Sequence, residues 1–107
     1  MTQTSSKEAL EHLLIRLERN HQCVLRMAKN LNSYRYEPKD YEGFLVFRDL
    51  KFDVNELAAQ QMQLFDRLHV TDTSVLDQAT TEVDDLFDRF AAIEKAMASY
   101  LLNNQGV

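Results

Sequence analysis

Apolar residues recur at helical spacing along most of this chain. In the last third they follow alternating steps of three and four residues without a miss, at Leu76, Ala79, Val83, Leu86, Phe90, Ile93, Met97 and Tyr100. The first third repeats the pattern at Leu10, Leu14, Leu17, His21, Val24, Ala28 and Leu31. This spacing keeps one face of an α-helix apolar over its whole length, so both segments are predicted to be amphipathic helices.

Capping signals and connections place three helices at about 5–32, 38–69 and 73–103. Ser5 with Glu8, and Ser74 with Asp77, have the spacing of a capping box. Pro38 suits the first turn of a helix, where its missing N–H costs nothing. Since short connections force neighbouring helices to alternate in direction, we expect one all-α domain over 1–107, an antiparallel up–down–up bundle of three long helices.

The second helix carries two apolar stripes on nearly opposite sides. The first stripe contains Phe47, Leu50, Val54, Leu57, Gln61, Leu64 and Leu68. The second contains Tyr41, Leu45, Arg48, Phe52, Asn55, Ala59 and Met62, with Phe44 at its edge. In a three-helix bundle, the directions from one helix to its two neighbours differ by a much smaller angle than the one between these stripes. One stripe therefore has no partner within a single chain.

Two interpretations of the second stripe remain open. In the first, the helix bends or the bundle is irregular, and the extra apolar residues are scattered on the surface, which is normal in soluble proteins. Alternatively the stripe is an interface, most simply across the two-fold axis of a homodimer. On the second interpretation the predicted interface residues are Tyr41, Phe44, Leu45, Arg48, Phe52, Ala59 and Met62.

Composition narrows the class of protein further. The formal net charge of −5 argues against direct nucleic-acid binding, because basic residues are interleaved with acidic ones. A single cysteine, Cys23, cannot form an internal disulfide and fits a reducing compartment. No run approaches the roughly 20 apolar residues of a membrane span, and Met1–Ser6 lacks the pattern of a secretory signal. We therefore expect a cytoplasmic protein without a membrane partner.

His21 lies in the middle of the apolar face of the first helix. Glu18 precedes it by three residues, and such a Glu-x-x-His step is half of a carboxylate-bridged di-metal site. The other interpretation is a core histidine held by one polar neighbour. The antiparallel register places His21 roughly level with Leu50–Asp53 and Ile93–Lys95, so Asp53 or Glu94 is a candidate partner. Gln61 is expected to bond across to another helix and to help fix the register.

Two polar clusters also have competing interpretations. Glu82, Asp84, Asp85 and Asp88 form an acidic group on the third helix, either a solvated face or a surface for a cation or a basic partner. Tyr34, Arg35, Tyr36, Lys39 and Tyr41 lie at one end of the bundle. Their rings either cover the end of the core or bind a partner, since Tyr and Arg are enriched at interfaces.

The chain carries no phosphate-binding loop, paired cysteines or catalytic constellation in its sequence. We therefore expect a non-enzymatic interaction module without a cofactor, such as an adaptor, chaperone-like protein or inhibitor, acting through a helix face on itself and on another protein. The alternative is a metal- or small-ligand-binding bundle that uses Glu18, His21 and nearby carboxylates.

Overall fold

Three long helices make up nearly all of the computed structural model. It describes residues 2–70 and 76–105, with side chains described for 8–68 and 78–104. Helix α1 is Thr2–Leu31, α2 is Tyr41–Val70 and α3 is Leu76–Gln105, and a short 3-10 helix, Tyr34–Tyr36, lies between α1 and α2. No strand occurs in these described ranges, so the all-helical prediction is confirmed. The molecule is a rod of 59 × 19 × 18 Å.

Helix α2 begins at Tyr41, three residues later than the start predicted from Pro38. Asp40 is the residue that caps it. Its Oδ1 accepts a hydrogen bond from the Gly43 N–H at 2.6 Å, and its carbonyl accepts one from the Phe44 N–H at 2.9 Å. A carboxylate that satisfies an otherwise unpaired N–H of the first turn is a strong start signal, and it outweighs the proline here.

The other helix ends also differ from the predicted boundaries by a few residues. Helix α1 begins at Thr2, ahead of the capping box predicted at Ser5 and Glu8, and the Ser5 side chain lies outside the described residues. Helix α3 extends to Gln105 rather than to 103. The side chains of the capping box predicted at Ser74 and Asp77 lie outside the described residues. Helix ends fray and shift readily, so these differences leave the packing of the three helices unchanged.

The core is formed where the three predicted apolar stripes meet. Its buried hydrophobic residues are Leu13, Leu17, Val24, Met27, Leu31, Leu50, Val54, Leu57, Leu64, Leu68, Ala79, Val83, Leu86, Ile93, Met97 and Tyr100. Leu10, Leu14, Ala28, Phe47 and Phe90 pack against this core and are partly buried. The stripe on α3 and the first stripe on α2 are therefore confirmed as core wherever their side chains are described.

The register of α2 against α1 differs from the one predicted for a tight connection. His21 contacts Gln61, which lies more than two helical turns beyond Asp53. The cause is the path of residues 32–40. After α1 ends, this segment continues along the rod, and the Tyr36 ring stacks on the Tyr100 ring of α3 with centroids 6.3 Å apart. The first turns of α2 therefore lie beyond the end of α1.

Candidate interaction surface

The second stripe of α2 lies on the side of the helix that faces away from the core. We call this surface the outer face of α2, defined by Tyr41, Phe44, Leu45, Arg48, Phe52, Asn55, Ala59 and Met62. Tyr41 is 75% exposed, Phe52 66% and Met62 50%, and Phe44 is also exposed. Leu45 is half-buried, and Arg48, Asn55 and Ala59 are exposed. None of the predicted interface residues is part of the core of this chain.

Charged groups lie within and beside the outer face. Arg48 and Asp49 form an ion pair with an N···O distance of 3.6 Å, and both side chains are well exposed to water. Lys51 places its ammonium 5.4 Å from the centroid of the Phe47 ring, at the boundary between the outer face and the core. Exposed pairs of this kind contribute little to stability, so the two charges of the ion pair are free to exchange partners.

Exposed apolar residues elsewhere in the described chain are more scattered. Ile15 and Leu25 on α1, and Leu102 on α3, are large and exposed. On α2, by contrast, several large side chains occupy one face at helical spacing, over about 30 Å of helix. Single exposed apolar residues are ordinary, whereas several on one face are more common at binding surfaces.

The polar centre of the core is a network of three side chains. Gln61, only 1% exposed, receives a hydrogen bond on Oε1 from the His21 Nδ1–H at 2.9 Å. Its Nε2 donates to Asn20 Oδ1 at 2.6 Å. The prediction that Gln61 bonds across to another helix is confirmed. The predicted partners of His21, Asp53 and Glu94, are wrong, because the shifted register brings Gln61 to the histidine instead.

Glu18 and His21 do not meet further ligands. Glu18 is exposed on α1, while the His21 ring faces Gln61. In the parts of the chain that the structure describes, no group of three or more His, Cys, Asp or Glu side chains lies close enough together to hold a metal ion.

The acidic group on α3 borders a groove between α2 and α3. Arg67 Nη2 donates to Glu82 Oε1 at 2.9 Å, and Arg89 reaches across to the Gln60 side chain. The groove has a volume of about 720 Å³, and Asp85 also lines it. Asp84, Asp85 and Asp88 are exposed. The arginines bring the lining of this groove close to charge balance.

A cluster at the opposite end of the bundle was only partly predicted from the sequence. The Tyr100 hydroxyl donates to the Tyr36 carbonyl at 2.7 Å, and Asn104 Nδ2 donates to the Glu37 carbonyl at 2.8 Å. Of the predicted aromatic cluster, the Tyr36 ring covers the core, whereas Tyr34 and Tyr41 are exposed. The predicted boundaries leave only residues 33–37 between the first two helices, whereas the observed connection has nine residues, from Asn32 to Asp40.

An open groove lies beside this cluster, between the first turns of α2 and the last turns of α3. It has a volume of about 440 Å³ and small residues on its walls, among them Gly43, Ala96 and Ser99. Val46 also lines the groove and is exposed, although its position on α2 matches that of core residues. Ala96 and Ser99 of α3, which line the same groove, are too small to cover Val46.

The titration of Tyr100 gives a test of how this end of the bundle is packed. Burial, and in second place the negative charge of Asp40, raise the pKa of Tyr100 above its ordinary value of 10.0. A raised folded-state pKa means that the contribution of Tyr100 to stability is complete below pH 10. It is lost as the pH rises through the folded-state pKa. We expect the free energy of unfolding to fall more steeply above pH 10 in the natural protein than in Tyr100→Phe.

Denaturant unfolding over a series of alkaline pH values measures this difference. Tyr41→Phe is the matched control, because Tyr41 is exposed. Its pH profile should follow that of the natural protein. Equal slopes for the natural protein and Tyr100→Phe would contradict the packing of Tyr100 described above.

None of the helices, over the part of the chain that the structure describes, combines the length and apolarity needed to cross a membrane. Comparison of the chain with models of protein families, with curated proteins and with solved structures found no match.

Proposed function

We propose that this protein is a protein–protein interaction module, rather than a catalyst, and that it binds its partner through the outer face of α2. The observation that carries this proposal is the row of exposed Tyr41, Phe44, Phe52 and Met62 side chains opposite the core. Adaptors, chaperone-like proteins and inhibitors are the roles that such a surface suits.

The chemistry of the outer face supports a protein as the partner. Covering a large apolar side chain contributes roughly 1.5–3 kcal/mol, and the row offers several of them. Tyr, Phe, Met and Arg are the residue types enriched at interfaces, and this face contains all four. The Arg48–Asp49 pair within this apolar row supplies charge that a complementary partner can use to select register.

We also infer that the helices follow an up–down–up path, which leaves the outer face of α2 along one edge of the rod. Several contacts support this path. Gln61, late in α2, contacts Asn20 and His21 of α1, while Leu31 and Phe47 line one pocket. Arg67 contacts Glu82, while Gly43 lies near Asn104 at the other end of the same two helices.

Site-specific photo-crosslinking tests the proposal because it captures whichever molecule covers the labelled position. A photoreactive phenylalanine analogue replaces Phe52 in one variant and Leu102 in the other, and both are expressed in the native host. Leu102 is a matched control because it is 71% exposed and lies on α3. We expect discrete crosslinked species, whether with a second copy or with another protein, from position 52 but not from position 102.

Mass spectrometry of the crosslinked bands identifies the covering molecule. A position-52 variant that yields no adduct, or the same diffuse adducts as position 102, would show that the outer face is not an interface. Circular dichroism of both purified variants checks that each retains its helices, so that loss of an adduct is not loss of fold.

A further inference from the structure

We propose that the outer face of α2 binds the same face of a second copy, with the two α2 helices antiparallel about a two-fold axis at Phe52. This inference rests on the proposed function and identifies the partner. It follows from how the residues of the face are distributed on the two sides of Phe52. In such a dimer, a residue a given number of positions before Phe52 lies level with the residue the same number after it in the second copy.

Side-chain sizes are complementary in this arrangement. Leu45 lies seven positions before Phe52 and Ala59 lies seven after it, so a large side chain is level with a small one on both sides of the axis. Tyr41, eleven positions before, is level with the Met62–Gln63 region of the second copy. Phe52 meets its own symmetry mate. A large side chain opposite a small one, at Leu45 and Ala59, lets the two helices approach closely on both sides of the axis.

Charges are complementary in the same register. Arg48 lies four positions before Phe52 and Glu56 lies four after it, which gives two symmetric Arg48–Glu56 pairs per dimer. Arg48 is exposed and pairs only loosely with Asp49, at 3.6 Å. Glu56 is half-buried and accepts a bond from Gln60 Nε2 through Oε1 at 3.3 Å. A carboxylate has a second oxygen with which to receive the guanidinium.

The parallel arrangement of the two helices lacks this complementarity. It places each residue level with its own copy, so that two Arg48 side chains meet in the middle of the face. Like charges facing each other across an interface oppose association, and they exclude alternative registers. The charges on α2 therefore favour the antiparallel dimer.

The contact is a strip about 30 Å long and one helix wide. Strips of this size fall at the small end of specific interfaces, so the dimer is weak and exchanges rapidly. Covalent trapping is therefore a better test than the mass of the free protein alone.

Cysteine crosslinking under mild oxidation tests the register directly. All variants carry Cys23→Ser, since Cys23 is the one cysteine of the chain. We expect Phe52→Cys to form a disulfide-linked dimer with itself, because the two-fold axis brings its two copies within disulfide range. A mixture of Leu45→Cys with Ala59→Cys should form the mixed dimer, whereas Leu45→Cys alone should not link. Leu102→Cys serves as the exposed control and should remain monomeric.

Charge reversal tests the Arg48–Glu56 pairing by a second route. Arg48→Glu and Glu56→Arg each place like charges together twice per dimer. Each should raise the dissociation constant of the dimer by about tenfold or more, as measured by sedimentation velocity at low salt. The double variant R48E/E56R restores attraction with the signs exchanged and should recover most of the lost association.

The outcomes separate this inference from the proposed function. Self-linking of Leu45→Cys, or failure of the double variant to recover, would overturn the antiparallel register. No link at Phe52→Cys, together with photo-crosslinks from position 52 to a different protein, would overturn the dimer and leave the proposed function intact. Loss of both kinds of crosslink would overturn both.

Discussion

Leu57→Ala is expected to lower the free energy of unfolding by about 2–5 kcal/mol, whereas Phe52→Ala, on the same helix, lowers it by less than about 1 kcal/mol. Leu57 is 0% exposed and Phe52 is 66% exposed. Truncating Leu57 removes transfer free energy and leaves a cavity that the three packed helices close only in part. Truncating Phe52 removes a larger ring from a surface that a single chain leaves in water.

Urea unfolding of dilute protein, where a weak dimer has dissociated, measures the contrast. Because the two positions share one helix, a general loss of helix propensity cannot account for the difference between them. An equal cost at both positions would mean that Phe52 is packed within a single chain, and the outer face of α2 would lose its role as a binding surface.

His21→Leu is expected to lower the free energy of unfolding by about 1–3 kcal/mol, and most of that cost should disappear in the Gln61→Leu background. His21 supplies the hydrogen bond to Gln61 Oε1, and Gln61 is fully buried. Without the histidine, that oxygen is left inside the core without its donor. When Gln61 is replaced as well, no oxygen remains to be satisfied.

A double-mutant cycle on His21 and Gln61 measures this coupling. Gln61→Leu alone should be mild, since His21 and Asn20 are half-buried and water can reach them. His12→Leu is the control for replacing an exposed histidine on the same helix. If the losses of unfolding free energy in His21→Leu and Gln61→Leu simply add in the double variant, the hydrogen bond between the two residues contributes nothing to the stability of the core.

The helices themselves could be predicted because the signal for them is local. Steps of three and four residues place Val83, Leu86 and Ile93 on one side of a helix whatever lies beside it, and these residues are buried as predicted. That one of the two stripes of α2 is exposed follows in the same way, since opposite stripes cannot both face one core. The start of α2 was mispredicted because the Pro38 signal competed with the Asp40 cap directly before the observed first residue, and sequence rules do not weigh two such signals.

The partner of His21 could not be predicted because it depends on the path of the connection. Whether residues 32–40 turn back sharply or continue along the rod is decided by contacts with α3, those of Tyr36 with Tyr100 and of Glu37 with Asn104. These pairs are more than sixty residues apart in the chain. The resulting shift brings Gln61, rather than Asp53, to His21.

Three amphipathic helices, the second with two apolar faces, could be read from the sequence because periodicity along a helix depends only on the spacing of its own residues. Which face of α2 is buried, which side chains satisfy Gln61 and where α2 lies relative to α1 became clear only in the folded molecule. Those outcomes depend on how distant segments pack together, and the free energy of that packing is not encoded in the spacing of any one segment.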